Sequence, residues 1–312
     1  MFIATLIGTS GLDWAVASEW AHQFDLDWTA GTMTGLSWVE EGAAADLHFS
    51  PSASFSGGDA PHLALGLRDL AGRIAAATGD AMAFDVFVQP AAHREKRLIV
   101  ADMDSTMIPV ECIDELADYA GIKPQIAEVT ERAMRGELDF AAALDARVAL
   151  LKGLKEGAID RCLAERVTLM PGARTLIATM RARGAYAVLV SGGFTRFAEP
   201  VGAEIGFDRV IANKLLIEGG ALTGAVGKPI VDSAPKEDTL RAVAVERGLD
   251  LAQTMAVGDG ANDLPMIRAA GLGVAYHAKP IVAAAAGARV DHGDLTALLY
   301  AQGLARKDWV ES

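Results

Sequence analysis

The sequence predicts an α/β protein in two parts, and three features of its pattern predict this. Over about the first 90 residues, strand and helix signals alternate in the order βαββαβ. From residue 167 onward, short apolar runs alternate with helix-period segments, as in a parallel sheet covered on both faces. Between the two lies an apolar run at 98–101. It is followed by a block, 112–165, rich in Ala, Leu, Glu, Lys and Arg, that reads as successive helices inserted behind the first core strand.

Residues 2–7 read as the first strand, and Val16, Trp20 and Phe24 recur every four positions, as one helix face does. Weaker strand signals lie at 28–38 and 45–49, and SPSASFSGGDAP (50–61) is a Ser/Gly/Pro loop. Leu63, Leu67, Leu70 and Ile74 mark a second helix ended by Gly79, and 84–88 is a strand stopped by Pro90. This order is the ferredoxin-like split unit. AAHREKR (91–97) reads as a polar connector, which divides the chain into 1–92 and 93–312. Beyond the helical block, 171–184 is a helix with Pro171 near its start and Gly184 at its end. YAVLV (186–190) is a buried strand, and two apolar runs around Gly219-Gly220 signal a hairpin. A helix at 235–248, a strand at 254–258, a short helix at 264–271 and apolar runs at 273–276 and 288–291 complete the series.

With 312 residues, 51% of them apolar, the chain can build full cores. Its net charge of −13 opposes binding to nucleic acid or an anionic membrane, and an anionic substrate would need a local positive pocket. The two cysteines, Cys112 and Cys162, form no CxxC pair, which argues against a disulfide framework or zinc site and for the cytoplasm. MFIATLIGTSG lacks a basic start and soon meets Asp13 and Glu19, so it reads as a strand rather than a signal peptide. No run reaches membrane-spanning length.

In open parallel sheets, ligands bind beyond the carboxyl ends of the strands. Three such ends carry polar sets: Asp102-Met103-Asp104-Ser105-Thr106, Ser191-Gly192-Gly193, and Gly258-Asp259-Gly260-Ala261-Asn262-Asp263. Asp102 and Asp104, two apart, leave a strand on the same side and repel unless a cation lies between them. The sets together imply a hard-cation site: Asp102 and Asp259 offer carboxylates to Mg²⁺, a backbone carbonyl near Asp104 adds an oxygen, and Asp263 binds through water or orients a ligand. Ser191 and Gly192 offer donors to a phosphate, and Lys236, beside Pro235 at a helix start, adds positive charge. Such parts suit phosphoryl transfer, which is mostly positioning and charge neutralisation. Gly227-Lys228-Pro229 is no P-loop, because Leu222 stands where its first Gly belongs, and Gly258-Asp259-Gly260 is no dinucleotide fingerprint, because Asp263 takes its third Gly.

DMDST, SGG, Lys236 and GDGAND, in that order, resemble the four motifs of the haloacid dehalogenase-like phosphatases. Within that superfamily, DMDSTMIPVECIDELADYAG, EVTERAMRGELDFAAALDARVALLKG, LVSGGFTRF, ANKLLIEGGALTG and VGDGANDLPMIRAAGLGVAYHAKP are similar to the phosphoserine phosphatase family. The similarity spans roughly residues 95–300. It implies a Rossmann-like core (97–110 and 166–312), a helical cap at about 111–165, and Mg²⁺-dependent hydrolysis of O-phospho-L-serine in serine biosynthesis. Asp102 then matches the nucleophile that forms an aspartyl-phosphate, and Asp104 the general acid and base. Asp102, Asp104 and Asp259 match the metal ligands, with Asp104 contributing its carbonyl. Ser191, Gly192, Lys236 and Asn262 match phosphate and substrate contacts, with Gly193 beside them. Glu111 and Arg147 match the holders of the substrate's ammonium and carboxylate. Met134 and Phe140 match apolar cap residues that either close over the site or pack within the cap. Two other readings stay open: a phosphatase or phosphotransferase that acts on another small phosphate ester or passes the phosphoryl group to an acceptor such as homoserine, and a catalytically silent amino-acid-binding regulator. The N-terminal module is similar in element order to ACT-type domains. Binding a regulatory amino acid, pairing two copies as a homodimer, and simple packing all remain open for it.

Overall fold

A computed structural model describes residues 1–9, 11–27, 31–78, 83–134 and 137–311. The N-terminal part contains β1 (Phe2–Gly8), α1 (Trp14–Asp27), β2 (Gly31–Glu40), β3 (Ala44–Pro51), α2 (Ala60–Thr78) and β4 (Phe84–Pro90). Its antiparallel sheet has the order β2-β3-β1-β4, the ferredoxin-like arrangement that the alternation predicts. Val16, Trp20 and Phe24 of α1 are buried with Leu63, Leu67 and Leu70 of α2. The Trp20 indole donates to the Leu67 carbonyl at 2.9 Å, so its polar edge is satisfied inside the core. Of the expected strand at 28–38, Trp28, Thr29 and Ala30 lie outside the described residues, as does the helix-ending Gly79.

The sheet's other face is buried too. Ile7, Ala44 and Phe87 belong to the same apolar layer as Tyr300 and Leu304 near the C-terminus. This two-sided burial explains why the module's strands show little alternation of apolar and polar residues. The stretch 91–97 is polar but not free. Arg94 grips Asp46 with both Nη atoms (2.6 and 2.7 Å) and donates to the Ala301 carbonyl at 2.9 Å. Lys96 is only 3% exposed, and its ammonium donates to the carbonyls of His93 and Ala252. Burial lowers its pKa to about 8. Nearby, Arg68 pairs with Asp291, and Asp85 accepts from the amides of Asp291 and Gly293.

The second part begins with β5 (Leu98–Ala101), followed by α3 (Cys112–Tyr119), α4 (Lys123–Met134), α5 (Phe140–Leu150) and α6 (Gly157–Arg166). Next come α7 (Ala173–Ala182), β6 (Tyr186–Phe194), α8 (Thr195–Ile205), β7 (Arg209–Asn213), β8 (Leu215–Glu218) and β9 (Ala221–Val226). The remainder is α9 (Ser233–Glu246), β10 (Thr254–Gly258), α10 (Leu264–Ala269), β11 (Leu272–Tyr276), α11 (Pro280–Ala285), β12 (Ala288–Val290) and α12 (Ala297–Ala301). Six strands form a parallel sheet in the order β12-β11-β10-β5-β6-β7. Along β5, Leu98 and Val100 join the layer of Leu240 and Met266, whereas Ile99 and Ala101 join that of Leu176 and Phe197. The strand is continuously apolar because each parity meets a covered face. Cys112 and Cys162 are both buried and free.

The four cap helices α3–α6 touch the core again through the β8–β9 hairpin. Leu222 exchanges backbone hydrogen bonds with Gly153 and Leu154, both at 2.8 Å, and Glu156 donates to Gly220 at 3.1 Å. Lys228, the residue of the failed P-loop match, forms an exposed pair with Asp145 at 2.7 Å. No helix among the described residues is long and apolar enough to cross a membrane.

These two ion pairs should differ sharply in worth. Arg94→Ala leaves the Asp46 carboxylate buried with only the Thr5 hydroxyl (2.8 Å), and a loss of about 3–5 kcal/mol is expected in urea unfolding. Lys228→Ala should cost less than about 1 kcal/mol. Equal losses would show that water reaches the Asp46 site.

Candidate active site

β5 lies between β10 and β6, so the three polar sets meet at one edge of the sheet. The Asp102 amide donates to Val257 at 2.9 Å, which carries the β5 direction one residue further. Met103 turns into the core, leaving Asp102 and Asp104 on the open side. The chain then folds back sharply: Ser105 has φ +57°, and the amides of Thr106, Met107 and Ile108 converge on the Met103 carbonyl at 2.8–3.2 Å.

Asp102 accepts from its neighbour's amide, Met103 N, at 2.8 Å and from Lys236 Nζ at 2.8 Å. Lys236 sits one turn into α9, whose first turn is capped by Asp232, and it is wholly buried. Its ammonium also meets Asp263 Oδ1 at 2.6 Å. Asp263 lies directly under Gly258: a Cβ there would come within 2.4 Å of the Asp263 carboxyl carbon, so only glycine fits. The Asp263 Oδ2 accepts from the Gly260 amide at 3.0 Å.

Carboxylate oxygens of Asp102, Asp259 and Asp263 all lie within 4.8 Å of one another. Burial, with the Asp263 charge, holds Asp102 well above the usual carboxylate range despite Lys236. The same two causes push Asp259 up to about 6. Burial and the charge of Glu111 push Asp104 up to about 7, and its Oδ1 is buried with no hydrogen-bond partner. Burial would lower Lys236, but the two carboxylates hold its ammonium above its ordinary range. Lys236 pairs with two of these carboxylates, Asp102 and Asp263, and Asp259 adds a third, so hard oxygen donors outnumber the one buried ammonium. A divalent cation fits that excess. The side chain grouped with Asp102 and Asp259 is Asp263; that of Asp104 stands apart.

A cavity of about 170 Å³ opens beside this cluster. Asp102, Asp104, Ser191, Gly192, Gly193, Asp259 and Asn262 wall it from the core, and Glu111, Phe140 and Arg147 from the cap. Lys236 and Asp263 are not among its walls: they stand behind Asp102. Ser191 is buried, and its Oγ accepts from the Gly193 amide at 2.9 Å. A side chain at Gly193 would crowd that hydroxyl and the Asp104 carboxylate. Glu111 accepts from the Ser105 hydroxyl at 3.0 Å. Phe140 stands over Gly192 closely enough that a Cβ there would lie 3.0 Å from its ring. The Met134 side chain lies outside what the structure describes.

Sequence reasoning missed several wall residues, Ile113, Leu144, Phe194 and Lys279, together with the buried Asn213 behind the Ser191 loop. Lys279 and Asn213 lie within HAKP and ANKLL, stretches already singled out for similarity. Their charge and amide gave the signal, but nothing local said that they turn toward the site.

The model of the haloacid dehalogenase-like hydrolases matches residues 99–268. The chain belongs to this family. A phosphoserine phosphatase of Mycobacterium tuberculosis is 50% identical over 215 residues, which cover 69% of this chain and 52% of that one. The chain thus spans about half the length of that relative. The solved structure of a probable phosphoserine phosphatase from Vibrio cholerae covers 96% of this chain and 88% of its own, with 35% identity and a TM-score of 0.72. A phospho-aspartyl intermediate analogue of phosphoserine phosphatase covers 66% of this chain and 98% of its own, with 37% identity and a TM-score of 0.61.

The carboxylate cluster predicts its own response to a cation. Mg²⁺ at about 100 times its Kd is expected to stabilise the protein by about 2.7 kcal/mol in thermal unfolding. Asp259→Asn should remove most of that gain. Stabilisation equal in both proteins would place the cation elsewhere.

Proposed function

We propose that the chain is a cytoplasmic, Mg²⁺-dependent phosphoserine phosphatase that hydrolyses O-phospho-L-serine to L-serine and phosphate, completing a serine-forming route. One observation carries this reading: Asp102, Asp104 and Ser191 share a single small cavity with Glu111 and Arg147. The first three are equipped for a phosphoryl group, and the last two for an α-amino acid head group. A guanidinium fork matches a carboxylate, and a carboxylate matches an ammonium. The similarity to phosphoserine phosphatases, one of them a phospho-aspartyl intermediate analogue, supports the same reading.

In this scheme Asp102 attacks phosphorus, forming a carboxyl-O–P bond as the P–O bond to serine breaks. Asp104 gives its proton to the departing serine oxygen. Asp104 then takes a proton from water as the water oxygen attacks phosphorus, releasing phosphate and restoring Asp102. Lys236 acts from behind, fixing the attacking carboxylate. The Ser191 hydroxyl, the Gly192 amide and Asn262 hold phosphoryl oxygens, and Phe140 helps exclude water. Asp102, Asp259 and Asp263, with the Asp104 carbonyl, would hold Mg²⁺, which when bound offsets the charge of phosphate and carboxylates. The reading takes 93–312 as the phosphatase domain and 1–92 as an ACT-like module attached to it.

Phosphate release from a panel of esters tests the proposal. Phosphoserine should rank first, and added homoserine should capture no phosphoryl group. Arg147→Ala is expected to lose about 2–5 kcal/mol of transition-state stabilisation on phosphoserine. It should lose much less on phosphoethanolamine, which lacks the carboxylate. Equal losses on both would assign Arg147 to the phosphate or the fold instead.

A further inference from the structure

The geometry points to Asn213 as a positioning residue that sets the donors of the phosphate-binding loop, an assignment that rests on the phosphatase reading above. The pairing of β6 with β7 runs Val190↔Ile211 and then Phe194↔Asn213. Four steps along β6 therefore face two along β7, and residues 191–193 bulge out of the ladder. A bulge of this kind leaves backbone groups without their usual partners.

The Asn213 side chain supplies the missing partner. It is 2% exposed, and its Nδ2 donates to the Gly192 carbonyl at 2.8 Å and to the Val231 carbonyl at 3.2 Å. Its Oδ1 accepts from the Val231 amide at 2.7 Å. In a trans peptide the carbonyl and the following N–H point in opposite directions. Holding the Gly192 carbonyl toward Asn213 therefore turns the Gly193 N–H the other way, where it donates to Ser191 Oγ at 2.9 Å. A hydroxyl carries one proton and two lone pairs. With one lone pair engaged by Gly193, the hydroxyl of Ser191, which lines the cavity, keeps its proton to offer to a phosphoryl oxygen bound there.

The same amide reaches the other side of the site. Val231 immediately precedes Asp232, the cap of α9, and α9 carries Lys236. One buried asparagine thus ties the Ser191 loop to the helix that fixes Asp102. An apolar residue of equal size could fill the space but would orient neither segment.

A double-mutant cycle separates positioning from simple support of the fold. The proteins are the wild type, Asn213→Ala, Ser191→Ala and the double variant, with Asn213→Asp as a shape-preserving control. Asn213→Asp keeps the acceptor for Val231 but faces the Gly192 carbonyl with an oxygen. Asn213→Ala and Asn213→Asp should each lower kcat/KM on phosphoserine by about 10- to 100-fold while remaining folded. In the Ser191→Ala background, Asn213→Ala should cost no more than roughly 2-fold. Losses that multiply in the double variant, unchanged turnover, or failure of both Asn213 variants to fold would overturn the assignment. A wild type without turnover would sink the phosphatase reading as well, so the two failures are distinguishable.

Discussion

The site depends on one buried ammonium. Lys236 has no exposed surface and holds Asp102 on one side and Asp263 on the other. Without it, Asp102 and Asp263 would face one another without the ion-pair partner they share. A buried ion of this kind is costly to desolvate and is tolerated only where partners surround it. The surrounding structure meets that requirement. Asp232 caps the helix that carries Lys236, Gly258 leaves room for Asp263, and the Gly260 amide completes the Asp263 contacts. The remaining negative charge is what makes the edge of the sheet receptive to a divalent cation.

Core and cap side chains meet at the cavity. The core presents Asp102, Asp104, Ser191 and Asp259, and the cap presents Glu111, Phe140 and Arg147. The β8–β9 hairpin binds the cap backbone at Gly153, Leu154 and Glu156, so the cap is registered against the core by more than its two chain connections. The N-terminal module is joined through partly buried charge pairs, Arg94 on Asp46 and Arg68 on Asp291.

What was legible in the chain was whatever repeats locally. The βαββαβ order, the inserted helices, the hairpin at Gly219-Gly220 and the parallel core all follow from periodicity and turn residues. Asp102 and Asp104 were legible because strand alternation puts them on one side. The role of Asp263 was harder to read, because its direct place beside Asp102 and Asp259 depends on the turn at 260–263 folding it under Gly258. Lys236 was expected to face the substrate, yet it is buried behind Asp102 and does not line the cavity. Sequence gives a helix start but not the depth at which the helix is buried. Residues 91–97 look like a linker because their charges are satisfied by groups far along the chain, Arg94 by a carbonyl 207 positions later. Asn213, at the end of a short strand, has the local appearance of an ordinary turn residue.

In the proposed reaction Asp102 carries the phosphoryl group. The direct measurement is to quench the Mg²⁺-loaded protein during turnover of phosphoserine, reduce acyl phosphate with borohydride, and locate the modified residue by mass spectrometry. The expected result is reduction of Asp102 to homoserine in the wild type, with neither modification nor turnover in Asp102→Asn. Modification of another carboxylate, or undiminished turnover by Asp102→Asn, would contradict it.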